Sequence, residues 1–250
     1  MLHSVEHVTR SFRLMLTHGL WKELLQQSWQ KVFSTRVYVD AVLDVGTYKP
    51  AGRYPVPLSV RAIGAADGSL LQAVLSDRTL ASEERHEASR RVNMLATGIR
   101  TCFAVCDDSG NVRVLQWLIL ADENETVRRI YADWYPWLAD DEALMEHAYV
   151  FPLYRGTGVL SCAVDRIVAI ARGSGVAHIL TSIPGSNMNS LLSFTRMGFR
   201  PQRIRLERRR FGAATRTVLP VGSCKDPRAF ARFVAGPAVL DHHTPEPVVF

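Results

Sequence analysis

Between Val150 and Val159 the chain reads Val-Phe-Pro-Leu-Tyr-Arg-Gly-Thr-Gly-Val, and few local structures satisfy that order. Pro152 has no N–H and closes the extended run before it. Gly156 and Gly158 then supply a turn into the amphipathic run Gly158–Arg172. Such a turn leaves backbone N–H groups pointing outward at the positive end of a helix dipole. Glycine lets an anion approach the backbone closely, and Arg155 adds charge. The segment is physically a phosphate cradle.

The rest of the chain can be read around this turn. Residues 10–33 carry apolar side chains at helical spacing, with Gly19 a break in the middle, and predict an amphipathic helical extension with a basic polar face. Arg36–Val45 and Leu58–Ile63 read as strands, separated by a loop marked by Pro50, Gly52, Pro55 and Pro57. Helices are expected near Gly68–Leu75 and Ser82–Ala96. Ser82 is expected to give the second a simple cap, and its charged face of Glu83, Glu84, Glu87, Arg90 and Arg91 to be solvated. Cys102–Cys106 and Val112–Leu120 flank the polar turn 107–111 and predict an antiparallel hairpin.

An insertion over 121–145 brings an aromatic group of Tyr131, Trp134, Tyr135 and Trp137. Strand Glu146–Phe151, helix Gly158–Arg172, strand Ala177–Ser182, helix Met188–Met197 and strands Gln202–Arg208 and Thr215–Pro220 follow. This alternation indicates an α/β unit with at least one parallel crossover. In the run 203–210, Ile204 and Leu206 are expected on one face, with Arg203 and Arg205 on a solvated basic face. The tail, 236–250, is expected to be poorly ordered.

Composition sets outer limits. With 250 residues, 47% hydrophobic and 22% charged, the chain suits one sizeable folded domain with appendages. No apolar run reaches the roughly 20 residues that cross a bilayer. Glu6, Arg10, Arg13, Lys22 and Glu23 interrupt the N-terminal apolar stretches, so the expectation is a cytoplasmic protein without a signal peptide. Cys102, Cys106, Cys162 and Cys224 are too scattered for a disulfide framework, and no His/Cys spacing completes a metal site. The net charge of +6 suits an anionic partner. Nucleic acid is not expected, since neither stacking aromatics nor a recognition helix accompanies the basic residues.

The turn resembles the signature of the GNAT acyltransferases, V-x-P-x-Y-R-G-x-G-(I/V/L)-(G/A), at ten of eleven positions, with Leu160 as the mismatch. Downstream, Asn187, Ser190, Phe194, Gly198 and Phe199 fall where that family shows N-x-x-A-x-x-L-Y-x-x-x-G-F, in order and at the family's spacing. The resemblance implies an α/β fold of GNAT type: a mixed, mostly antiparallel central sheet with splayed cofactor strands, flanked by helices. The N-terminal helical extension would cover 1–34, the acyltransferase domain 35–220, and a C-terminal helix and tail 221–250. It also implies acetyl-CoA or another acyl-CoA as co-substrate. Backbone groups of Val150, Phe151 and Pro152 would lie along the pantetheine. Amides of Gly156, Thr157, Gly158, Val159 and Leu160, aided by Arg155, would hold the pyrophosphate. Asn187 would contact the pantetheine, and Ser190 its end or the adenosine. Leu160 places a large side chain where the family is small.

Amine acylation needs a group to take the amine's proton and benefits from a donor to the leaving thiolate. The family's usual donor, a Tyr, is replaced by Phe194. Glu146, His147 and Tyr149, on the strand before the turn, are the catalytic candidates, with Tyr154 behind them. Strand alternation puts Glu146 on one face and His147 with Tyr149 on the other. The aromatic insertion could border an acceptor pocket, with Asp140, Asp141 and Glu142 attracting a cationic amine. The helical extension, the Gly98–Phe103 hairpin entry and Trp117 resemble family members of surface-polysaccharide and specialised-metabolite pathways. The expected reaction is acyl transfer to the primary amine of an amino sugar, amino acid, specialised metabolite or peptide, by a monomer or homodimer. The alternatives are an inactive acyl-CoA-binding homologue and a basic module that touches a membrane through residues 10–33.

Overall fold

The computed structural model describes residues 9, 12–50, 57–63, 65–211, 213–223, 226–236 and 248–249. They fall into two compact units, Met1–Gln27 with Gly52–Val176 and Ser28–Ala51 with Ala177–Phe250.

In the first unit four strands form an antiparallel meander: β2 (Ser59–Ala62), β3 (Cys102–Cys106), β4 (Val112–Leu120) and β5 (Glu142–Val150). The β3–β4 hairpin has the predicted limits. Its turn is fixed by Asp107, whose carboxylate accepts from the Asn111 amide at 2.8 Å and pairs with Arg113 at 2.9 Å. Helices α2 (Ala65–Ser76) and α3 (Ser82–Leu95) pack on each other. The expected insertion contains α4 (Asn124–Tyr131), and β5 begins at Glu142 rather than Glu146. Asn124 pins the loop between them, its side chain exchanging two 2.9 Å hydrogen bonds with the backbone of Leu138. After the glycine turn, α5 (Val159–Gly173) packs over β4 and β5. Val105 and Val114 pack with Val159 and Ala163 of α5, which places one layer of core between sheet and helix, while Leu115 and Trp117 are buried on the other face of the sheet. Cys102 and Cys106 are buried and free.

Residues 12–17 are helical, Gly19 breaks the run at φ 70°, and α1 (Trp21–Val32) follows. Met15 and Leu20 are buried, and the His18 carbonyl accepts from Arg85 of α3 at 3.0 Å. Ser82 does not cap α3. The N-cap is Ala81, which has no capping group, and the Ser82 hydroxyl is bonded to Glu23 instead.

In the second unit β1 (Phe33–Asp44) lies between β6 (His178–Pro184) and β7 (Arg200–Arg210), antiparallel to both. β8 (Ala213–Ser223) continues the sheet from β7, and β9 (Val248–Val249) pairs with β8 in parallel. Helices α6 (Met188–Arg196) and α7 (Pro227–Ala235) pack together, α6 against β6 and α7 against β1. The tail residues 237–247 and Cys224 lie outside the described residues.

The basic face expected on β7 is solvated only in part: Arg203 is exposed, beside Asp40 at 2.7 Å, but Arg205 is not. Arg205 is 9% exposed and gives hydrogen bonds to Asp40 at 3.1 Å and Ser182 at 2.6 Å. Glu207, 1% exposed, accepts from Arg209 at 2.7 Å and Arg216 at 3.3 Å. Asp40 stands beside Arg205 because β1 pairs with β7 across more than 160 residues of sequence, so its neutralising charge is invisible to local pattern.

Gly185, just past β6, is held by close approach. A Cβ there would come within 2.7 Å of the Val234 methyl and 3.1 Å of Val37. Gly185→Ala should therefore destabilise the protein by about 1–3 kcal/mol in chemical denaturation, through overpacking. Adding Val234→Ala should restore part of the loss; an unchanged midpoint in the single variant would contradict the packing.

Candidate active site

The site begins with an irregularity between β4 and β5. Leu115 pairs with Tyr149 and Trp117 with Glu146, so the single residue Gln116 faces two residues, His147 and Ala148. This is a β-bulge. His147 adopts φ 57°, and the Gln116 amide spans the gap by donating to the Glu146 carbonyl at 2.9 Å and to that of Trp117 at 3.0 Å. The bulge overturns the simple alternation expected of this strand. Glu146 and His147 meet the same aromatic group, while Tyr149 joins another set of partners.

In that group Tyr131 and Tyr135 pack edge to face at 5.2 Å. The Tyr135 hydroxyl donates to Glu146 at 3.3 Å. The His147 ring stacks on Tyr131 and meets the buried Trp117 edge-on, with Nε2 3.4 Å from the Tyr131 hydroxyl. Tyr131 itself donates to the Met94 sulfur at 2.9 Å. Burial, with the charges of Arg91 and Arg90, pushes the His147 pKa well below its ordinary value, so the imidazole is neutral at pH 7. Burial raises the Tyr131 phenol to about 12. Tyr135 is raised as well, by burial and the Glu146 carboxylate.

Tyr149 is 2% exposed, and its hydroxyl donates to Glu84 of α3 at 2.5 Å. The same carboxylate pairs with Arg155 at 2.5 and 2.8 Å. Arg91 is buried too; it is bonded to Glu87 and gives a 3.0 Å hydrogen bond to the Ala148 carbonyl beside the bulge. Burial opposes ionisation of Glu84, but hydrogen bonds from Arg155 and Tyr149 and the charges of Arg155 and Arg91 outweigh it and hold its pKa down. Burial and the bond to Glu84 raise Tyr149. Of the α3 face expected to be solvated, Glu83 and Arg90 are exposed, but Glu84 and Arg91 hold the turn and strand in place. Pattern reading missed these buried contacts of Glu84 and Arg91. The available signal was Ala88, fully buried between them at helical spacing.

Beyond β5, Pro152–Tyr154 form a single 3₁₀ turn, and Gly156 and Gly158 take φ 74° and 81°. Gly158 is the N-cap of α5 and no side chain caps that helix; the Ser161 amide donates to the Gly158 carbonyl at 3.1 Å, and those of Val159 and Leu160 have no acceptor within the helix. A Cβ on either glycine would meet nothing within 4 Å, and Gly156, Thr157 and Gly158 are exposed. The Thr157 hydroxyl donates to the Tyr154 carbonyl at 2.6 Å. The Arg155 side chain folds back to the Val150 carbonyl at 3.1 Å, and its amide donates to the Pro152 carbonyl at 3.3 Å. Phe151 packs edge-on against Tyr149. Leu160, the residue that departs from the family pattern, turns inward and packs with the buried group around Val114, Val159 and Ala163. Its bulk lies on the core side.

No family model and no curated protein sequence matches the chain. Solved structures do. A GCN5-related glucosamine N-acetyltransferase region of a fungal multi-domain β-N-acetylglucosaminidase superposes on 74% of this chain and 22% of its own, at TM-score 0.53 and 14% identity. The chain has the GNAT fold. A GCN5-related N-acetyltransferase from Sphaerobacter thermophilus matches 80% of this chain and 57% of its own, at TM-score 0.43 and 12% identity. A GNAT-family acetyltransferase from Colwellia psychrerythraea matches 70% and 55%, at 0.42 and 11%. The chain spans less than two thirds of the length of each.

The second block of GNAT resemblance lies in the other unit. Asn187 is the N-cap of α6, and its side chain accepts from the Ser190 amide at 3.1 Å. Phe194 is 5% exposed and packs on Phe199, so it is a core residue. In the first unit a pocket of about 180 Å³ is lined by Asn124, Arg128, Asp133, Tyr135 and Trp137 among others. Asp140, Asp141 and Glu142 do not line it; Glu142 accepts from the Ala139 amide instead. No cluster of His, Cys, Asp and Glu fit to hold a metal ion occurs among the described residues.

Glu84 yields a signed prediction. Its depressed folded-state pKa contributes stability above the unfolded carboxyl value of about 4.3, lost as pH falls below that through the folded value. Glu84→Gln should cost about 1–2 kcal/mol at pH 7, a modest figure because Arg155 is half exposed. Urea midpoints of variant and wild type should converge below about pH 4; a gap independent of pH would contradict the assignment.

Proposed function

We propose that the protein is a GNAT-type N-acyltransferase that moves an acyl group, acetyl in the simplest case, from an acyl-CoA to a primary amine. The amine nitrogen attacks the thioester carbonyl, the C–N bond forms, the C–S bond breaks, and the amine's proton passes to a base. The observation that carries this reading is the uncapped, solvent-open turn at the start of α5, with both glycines left-handed. Amides of Gly156 to Leu160 are offered to a pyrophosphate at the positive end of the helix. Arg155, neutralised by Glu84, holds the turn in shape.

Glu146 is the proposed base. It is half-buried and accepts from Tyr135, a residue that lines the pocket of about 180 Å³, a size suited to a small acceptor such as an amino sugar or amino acid. His147, neutral and stacked, positions this group. Tyr149 is assigned a structural role, since its buried phenol is committed to Glu84 and resists ionisation. A second reading, an acyl-CoA-binding homologue without turnover, is supported by the buried Phe194 where the family's Tyr donor stands.

Thiol release from acetyl-CoA and longer acyl-CoAs, measured against a panel of amines, separates the two. Glu146→Gln should lower kcat by about 10²-fold or more with little change in the KM for acyl-CoA. Tyr149→Phe should lower stability and largely spare kcat. Gly158→Trp should abolish binding of coenzyme A by calorimetry; it costs about 1–2 kcal/mol of strain at φ 81°, but circular dichroism should show the fold retained, since no internal atom meets a side chain there. Binding without turnover would favour the inactive reading; no binding of any coenzyme A species would remove both.

A further inference from the structure

A second surface takes no part in this chemistry. Where β7 turns into β8 the sequence is Arg208-Arg209-Arg210-Phe211. Phe211 is 83% exposed and sits at φ 51°, a conformation that glycine or asparagine adopts far more readily. An aromatic side chain that is strained and mostly in water contributes little net stability. Its ring meets Phe33 edge-on at 4.7 Å, and Phe33 meets Trp29 at 5.2 Å. Trp29 is 65% exposed and lies along one stripe of α1 with Trp21, Leu25 and Val32, at 52%, 61% and 37%.

Charge decides what covers this face. Arg209 is balanced by Glu207, but Arg210 gives its hydrogen bonds to the carbonyls of Ser34 and Arg209, which leave its charge intact. A second copy of the chain would bring the same arginines to a two-fold contact, setting like charges together. Exposed Trp and Phe flanked by cations suit the interfacial zone of a bilayer with acidic headgroups. No helix among the described residues is long and apolar enough to cross a membrane, so contact through this face is peripheral.

We propose that this face docks on an anionic bilayer, with Trp29 and Phe211 entering the interface and Arg208 and Arg210 meeting the headgroup phosphates. The proposal stands independently of acyl transfer. Its test is sedimentation of the full chain with vesicles of phosphatidylcholine containing about a third phosphatidylserine, against phosphatidylcholine alone. Wild type should bind the anionic vesicles, less so as salt rises, and should not bind the neutral ones. Phe211→Gly removes the ring and relieves the strained φ, so it should keep or raise the unfolding midpoint while weakening partition about tenfold or more. Arg208→Glu with Arg210→Glu should remove the salt-sensitive part. Failure of wild type to bind, or binding unaffected by Phe211→Gly, overturns the proposal. So does a wild-type dimer that Phe211→Gly converts to monomer, since a second copy would then cover the face.

Discussion

The carboxylate of Glu84 ties three elements together. It reaches from α3 to the Tyr149 hydroxyl on β5 and to the Arg155 guanidinium in the glycine turn. Each bond answers a need of the partner: a buried phenol requires an acceptor, and a cation folded against the protein requires a counter-charge. Without Glu84, Tyr149 would be left buried with an unmet hydroxyl, and Arg155 would lose what fixes it above Val150. The open amides at the start of α5 keep their shape because the residues before them are held at both ends.

The bulge at His147 has the complementary role. Two residues opposite Gln116 rotate the strand locally, so Glu146 and His147 both reach the tyrosines of the insertion while Tyr149 turns toward α3. One strand thereby serves two environments, a group of titratable side chains beside a pocket and a structural ion-pair network. Burial keeps His147 neutral, and a neighbouring hydroxyl holds Glu146.

Much of the scaffold was legible in the sequence. The hairpin limits, the Gly19 break and the strand–turn–helix at 150–172 follow from period, turn residues and glycine placement, all local properties. The readings that failed depend on partners far away in sequence. Asp40 neutralises Arg205 across a strand pair, and Arg155 claims a helix face that looked solvated. The bulge has no side-chain signature of its own, since His at a positive φ is imposed by the β4 register. Leu160 looked like an obstruction at the helix start, but the direction of its side chain is set by packing with Val114 and Ala163.

The central claim is that the amides at the start of α5 bind the diphosphate of an acyl-CoA. Titrating coenzyme A into uniformly ¹⁵N-labelled protein tests it most directly. The account predicts that the amide resonances of Gly156, Thr157, Gly158, Val159 and Leu160 shift together and saturate with a single affinity, with their hydrogen exchange slowed. Saturable binding that leaves these amides unmoved would contradict it.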